Sequence, residues 1–247
     1  LHGNGFRSVY MIDSGVKVDE NYYVYKTGKE QDVFVRDAYR NEFHGKVWPG
    51  DCAFPDFTRP ETRTWWAGLY KDFLANGIDG IWNDMNEPSV FDGPGGTMPV
   101  SNIHLGGGNL PTGTHLMYHN AYGRLMVEAS YNGILAANPD KRPFVLSRSN
   151  ILGGQRYAAM WTGDNEATYE QMKLSVPMSI TLGLSGQPFN GPDIGGFAGN
   201  TIADLWGHWL GFGAFFPFSR GHASCDTNNK EPFGHLLRIY RESHVLH

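Results

Sequence analysis

The sequence is short of cysteine, of charge and of long apolar runs, and each shortage closes off a class of protein. No stretch of the 247 residues approaches the ~20 consecutive apolar positions that a membrane-spanning helix needs. The opening, "LHGNGFRSVY", has neither the basic nor the apolar segment of a signal peptide. It also lacks a Met and runs at once into the buried-looking "SVYMIDSGV", as expected of a piece of a longer polypeptide. Cys52 and Cys225 are the only cysteines, in neither a CxxC pattern nor a disulfide framework; two reduced thiols in a cytoplasmic protein are expected. With 18% charged residues, a net charge of -5 and no Lys/Arg cluster, there is no footprint for nucleic acid or an anionic membrane. A GxGxxG turn opening a helix, a GK[ST] loop and a GxSxG elbow are all absent, so no cofactor is expected.

What is present is glycine (32), proline (14) and aromatic side chains (14%), a loop-rich composition with many flat rigid surfaces. Such surfaces suit sugar stacking, and equally the core of any large enzyme. The recurring unit is a short apolar strand ending in polar or Gly-rich residues, then a loop, then an amphipathic segment. "RSVYMIDSGV", "IDGIWND", "RPFVLSRSN", "YAAMWTGDN", "SGQPFNGPDIGGF" and "GAFFPFSRGH" read as strands. Between them, Thr58 and Glu61 form a capping box with Pro60 in the first turn, Trp65, Leu69 and Phe73 repeat every four residues, and Asn76-Gly77 is a stop. Further helices are expected from about Thr114 to Ala137, with Met117, Ala121, Leu125 and Ala129 on one stripe, from a Thr168/Gln171 cap through Pro177, and from Thr201 to Leu210. Residues 92–114 have no usable periodicity and read as a long surface loop, placed to form the rim of a site.

Repeated strand, loop, helix order implies parallel βαβ units. Asp13, Asp84, Arg148, Asp164, Asp193 and His222 fall at or just after the carboxyl ends of different strands. That distribution favours a (β/α)8 TIM barrel, whose sites are assembled from several strand ends, over a doubly wound sheet with one switch point.

Asp84 and Glu87 in "GIWNDMNEPSV" invite reading as a carboxylate pair. On a strand Asp84 projects with Trp82 and Gly80, whereas Glu87 lies past the strand end and Pro88 disfavours helix there. Asp84 is therefore the candidate catalytic carboxylate, with Glu87 hydrogen-bonding the loop and Trp82 beside it; both acids capping loop N–H groups is the structural alternative. Asp164 in "WTGDN" is a second strand-end acid, and Trp161 with Met160 are placed to give it the apolar setting a general acid needs. Arg148 suits a clamp on a hydroxyl or a carboxylate. His115 and His119 have zinc-helix spacing, but no HExxH glutamate and no third ligand, so no metal is expected. His104, His208, His235, His244 and His247 read as loop or surface histidines.

"GIDGIWNDMNEPSVF", "RPFVLSRSNILGGQRYAAMWTGDN", "SGQPFNGPDIGGF" and "FFPFSRGH", preceded by "KVWPGDCAFPDFTRPETRTWW", resemble the signature blocks of glycoside hydrolase family 31, α-glucosidase branch, in order over about residues 1–232. The resemblance implies a retaining hydrolase acting on α-glucoside oligosaccharides, with Asp84 as nucleophile and Asp164 as acid/base. It also implies that Arg148, Trp161, Asp193, His222, Met85 and Phe197 line a glucose pocket. The family's first two barrel strands have no counterpart here, so residues 1–247 are expected to form a partial catalytic barrel of about six of eight strands, inactive alone because its edges are open. Beyond "KEPF" the similarity fades. An α-xylosidase, a transglucosidase, an α-glucan lyase and a non-catalytic carbohydrate-binding fragment remain the alternatives, and oligomeric state is not legible.

Overall fold

The computed structural model describes residues 1–228 and residue 230. The chain divides into two compact units, the first ending at Ala158 and the second beginning at Ala159. The first unit contains β1 (Val9–Asp13), β2 (Val16–Lys17), α1 (Tyr23–Glu30), β3 (His44–Val47), β4 (Gly50–Ala53), α2 (Pro60–Ala75), β5 (Gly80–Asp84), β6 (Ile103–His104), β7 (Gly113–Thr114), α3 (His115–Ala137) and β8 (Val145–Ser147). The second contains β9 (Ala159–Trp161), α4 (Tyr169–Leu184), β10 (Asn190–Gly191) and α5 (Ala203–Gly213).

In the first unit β5 pairs in parallel with β1 on one side and β8 on the other, with Asp13 opposite Asp84 and Ser147 opposite Asn83. In the second, β9 and β10 pair in parallel. These five parallel strands, joined through α-helices except between β8 and β9, follow the α/β order of a partial (β/α)8 barrel. The sixth expected strand, "GAFFPFSRGH", is reduced to a single parallel bridge between Arg220 and Asp193. Phe215 is largely exposed there, so the segment lacks the two-sided burial that drives a parallel strand.

The helices of the first unit pack through aromatic side chains. Trp65, Trp66 and Tyr70 of α2 and Tyr122, Leu125 and Met126 of α3 are buried with Ile81 and Val145 of the strands. Each such side chain contributes about 2 kcal/mol by leaving water. Gly133 lets α3 approach α2, because a Cβ there would lie 2.7 Å from the Ala67 carbonyl oxygen. Trp66 donates to Ser130 Oγ, and the Tyr70 hydroxyl meets the same oxygen at 2.9 Å. The buried stripe of α3 runs through His115, Tyr118, Tyr122, Leu125 and Ala129; Met117 lies off it and is exposed. In the second unit Met172, Ile194, Leu205 and Trp209 form a separate core. Thr168 caps α4 by accepting from the Gln171 N–H, and the helix continues through Pro177.

The expected capping box at Thr58 does not form. Arg59 is the N-cap of α2, and Thr58 turns its hydroxyl to Asp56 and accepts from the Gly106 N–H. Asp56 is the reason. Its carboxylate is fully buried and collects the Thr58 hydroxyl, the Leu105 N–H at 2.7 Å and His104 Nδ1 at 2.9 Å. The 92–114 segment is accordingly no free surface loop: β6 and β7 pair antiparallel, and Met98, Asn102 and His104 are buried. His104, expected at the surface, continues a buried chain in which its Nε2 meets His115 Nδ1 at 3.0 Å and His115 Nε2 meets His119 Nδ1 at 3.1 Å. His208 is exposed as expected, while His235, His244 and His247 lie outside the described residues.

Burial, then the neighbouring His104 and His119, pushes the His115 imidazole from 6.5 down to about 3. The folded state thus refuses a proton that the unfolded chain accepts, so stability is complete above pH 6.5 and is lost as pH falls toward 3. Denaturant titrations should show a loss on the order of 3 kcal/mol from this group between pH 6.5 and 4. A His115→Asn variant should have a visibly shallower acid limb.

Candidate active site

The carboxyl end of β5 carries Asp84, nine-tenths buried, with Oδ1 accepting from the Met85 N–H at 2.8 Å. Met85 adopts φ 52°, the left-handed region that a non-glycine side chain rarely occupies. The turn is held from three directions. Ser14, just past β1, donates to the Met85 carbonyl; Asn86 donates to Ser147 Oγ at the end of β8; and the Ser149 N–H donates to Asn86 Oδ1. A strained conformation pinned this way is typical of functional loops.

Arg148 follows β8 directly. Its Nε and Nη2 donate to Glu87 Oε1 and Oε2 at 2.8 and 2.9 Å, and Nε lies 3.4 Å from Asp84 Oδ1. Nη2 also reaches Met85 Sδ. The cation is thus shared between the two acids. The Glu87 carboxylate binds the Arg148 fork, where loop N–H groups were expected as its partners. Asp13, opposite Asp84 in the sheet, is raised to about 6 by burial and by the Asp84 charge, with Arg148 opposing. Its Oδ1 is buried with no hydrogen-bond partner among the described residues. Trp82 lies on β5, two residues before Asp84. At the surface of the same unit, Trp48 and Phe91 make an exposed edge-to-face pair with centroids 4.8 Å apart. Sequence reasoning passed over both; Phe91 seven residues after Asp84 was the available signal.

In the second unit Asp193 is fully buried and its Oδ1 accepts from Arg220 Nε and Nη2 at 2.9 and 2.7 Å. Arg220 also lies over the buried Trp161 ring, 4.8 Å from its centroid. Burial raises Asp193 to about 7 despite Arg220, and Asp164 adds to the rise. Its Oδ2 is buried without a partner among the described residues. His222 is pushed down to about 4 by burial and by Arg220, so it is neutral at physiological pH and able both to donate and to accept. Its ring stacks on Phe197 at 5.0 Å. Asp164 is exposed, although Met160 and Trp161 just before it are buried; the apolar setting expected around it is not supplied by these residues. Arg220 was missed from sequence, where only the His of "SRGH" was singled out.

Residues 1–242 match the model of the glycosyl hydrolases family 31 TIM-barrel domain. The chain is 46% identical over 233 residues to alpha-glucosidase 2 of Bacillus thermoamyloliquefaciens, covering 94% of this chain and 29% of that protein. A family 31 alpha-glucosidase from Bacteroides thetaiotaomicron is 60% identical with a TM-score of 0.82, over 94% of this chain and 37% of that one. The glucosidase II alpha subunit in its alpha3-Glc2-bound form is 41% identical with a TM-score of 0.87, over 94% of this chain and 25% of that one. The chain therefore spans between a quarter and about two fifths of the length of these relatives.

Removing the shared cation should leave two part-buried carboxylates facing one another. Arg148→Met is expected to cost about 2 kcal/mol or more in unfolding free energy, read by denaturant titration, and Arg148→Lys, which cannot make the fork, recovers only part. In the Glu87→Gln background the same Arg148→Met change should cost markedly less.

Proposed function

Since the chain belongs to glycosyl hydrolase family 31, we propose that it supplies part of the (β/α)8 catalytic domain of a retaining α-glucosidase that releases terminal glucose from α-linked oligosaccharides. The observation that carries this reading is Arg148 beside the end of β5, whose Nε lies 3.4 Å from Oδ1 of the buried Asp84. A cation that close favours the carboxylate anion, the form in which a nucleophile attacks. The sugar-bound state of the glucosidase II alpha subunit supports the same substrate class.

In the proposed reaction Asp84 attacks the anomeric carbon while Asp164 gives its proton to the departing glycosidic oxygen. The bond to the leaving sugar breaks as the Asp84 ester forms. Asp164, now a carboxylate, takes a proton from water, whose oxygen displaces Asp84 and releases glucose with its α configuration retained. The mechanism requires the two carboxyl groups about 5 to 5.5 Å apart. Asp193, Arg148 and neutral His222 would bind sugar hydroxyls, Trp161, Phe197 and Met85 would pack on the ring, and Trp82 and Glu87 would support Asp84. The exposed edge-to-face pair of Trp48 and Phe91 would offer an aromatic surface to the leaving sugar. Free thiols at Cys52 and Cys225 favour a reducing, cytoplasmic setting; no helix among the described residues is long and apolar enough to cross a membrane.

In the intact protein, Asp84→Asn is expected to lower kcat for every α-glucoside by about 10⁴-fold or more. Asp164→Asn should spare the first step for aryl glucosides with good leaving groups and slow it for maltose-like substrates. Proton NMR of the first-formed sugar should show α-glucose; β-glucose would contradict the mechanism.

A further inference from the structure

The loop from Asp193 to Phe197 has little stiffness of its own. Gly195 and Gly196 both sit in the left-handed region, at φ 87° and 83°, and a Cβ on Gly196 would lie 2.5 Å from the Ala167 nitrogen. The segment is therefore restrained from outside, and it is restrained at Phe197 on both sides of the peptide. The Phe197 N–H donates to the Asn165 carbonyl at 2.7 Å and to Asn165 Oδ1 at 3.0 Å. Its carbonyl accepts from Lys230 Nζ and from the Ser224 N–H, both at 3.0 Å, and Lys230 Nζ also donates to the Gly196 carbonyl at 2.5 Å. Asn165 Nδ2 in turn donates to the Asp193 carbonyl.

Lys230 is an expensive way to tie a loop. It is 4% exposed, and burying an ammonium group against two neutral carbonyls forfeits hydration that a surface lysine keeps. Burial accordingly lowers its pKa, with Asp193 and Asp226 opposing. The backbone contribution of this residue to the core is separate, since Trp206 Nε1 donates to the Lys230 carbonyl. The side chain thus acts on Gly196 and Phe197, and the Phe197 ring is the surface on which His222 stacks.

We propose that Lys230 and Asn165 are positioning residues that fix Phe197, and through it His222, in register for the glucose ring. The inference rests on the reading of this chain as an α-glucosidase. Asn165 directly follows Asp164, so one residue sets the acid/base segment and the ring-binding loop together. Lys230 acts on the ring-binding loop alone, and the two substitutions should separate in kinetics.

The test is steady-state kinetics of the intact protein on 4-nitrophenyl α-glucoside, with inhibition by free glucose measured alongside. Lys230→Met should raise KM and the glucose inhibition constant about tenfold while kcat changes less than about threefold, because a misplaced ring contact weakens binding of ground and transition states alike. Lys230→Arg, which keeps a cationic donor, should restore most of the loss. Asn165→Ala should lower kcat as well. An unchanged KM in Lys230→Met, or an Arg variant no better than the Met variant, overturns the proposal. If Lys230→Met does not fold, Lys230→Gln carries the same expectations. A wild-type protein that neither hydrolyses the glucoside nor binds glucose defeats the α-glucosidase reading itself, a result distinct from either kinetic outcome.

Discussion

The Arg148 fork is the constraint around which the first unit is arranged. One guanidinium holds both oxygens of Glu87 and lies 3.4 Å from Asp84, so three charged side chains share one small volume. Removing charges from water is costly, and only good geometry offsets that cost. The geometry comes from the sheet. Pairing of Ser147 with Asn83 brings Arg148, one residue past β8, level with Asp84 at the end of β5. The left-handed Met85 then turns the chain so that Glu87 comes back toward the fork. Asn86, Ser147 and Ser149 close the loop by hydrogen bonds, and Gly123 of α3 leaves room for it, since a Cβ there would lie within 2.8 Å of the Asn86 and Ser149 carbonyls.

The second unit handles charge differently. Asp193 and His222 are both driven toward their neutral forms by burial, to about 7 and about 4. Neutral groups with directional hydrogen bonds suit a ligand of uncharged hydroxyls better than a field of fixed charge does. Arg220 supplies a cation beside them, and it is engaged by Asp193 and stacked on Trp161.

Much of this architecture was legible because strand ends and helix stops depend on local chemistry. The stop at Asn76-Gly77, the Thr168 cap and the parallel strands at Gly80–Asp84, Val145–Ser147 and Ala159–Trp161 follow from neighbours in sequence. What failed depended on partners distant in the chain. Thr58 has the pattern of a capping residue, but Asp56 claims its hydroxyl because the His104 hairpin needs a buried anion to close against. His104 looked like a loop histidine for the same reason: its burial is set by Asp56 and His115, on other elements. Glu87 was expected to serve its own loop, and its partner instead lies 61 residues away. Arg220 escaped notice because its significance comes from Asp193 and Trp161, neither near it in sequence.

The central claim is that Asp84, with the Arg148 guanidinium beside it, is the group that bonds to the sugar. A fluorinated α-glucosyl reagent, whose glycosyl ester hydrolyses slowly, tests it directly in the intact protein by digestion and peptide mass spectrometry. The account predicts time-dependent inactivation with one added fluoroglucosyl mass on the peptide that contains Asp84, mapped to that side chain. Attachment to Asp164 or Glu87 instead, or turnover with no ester on any carboxylate, would contradict it.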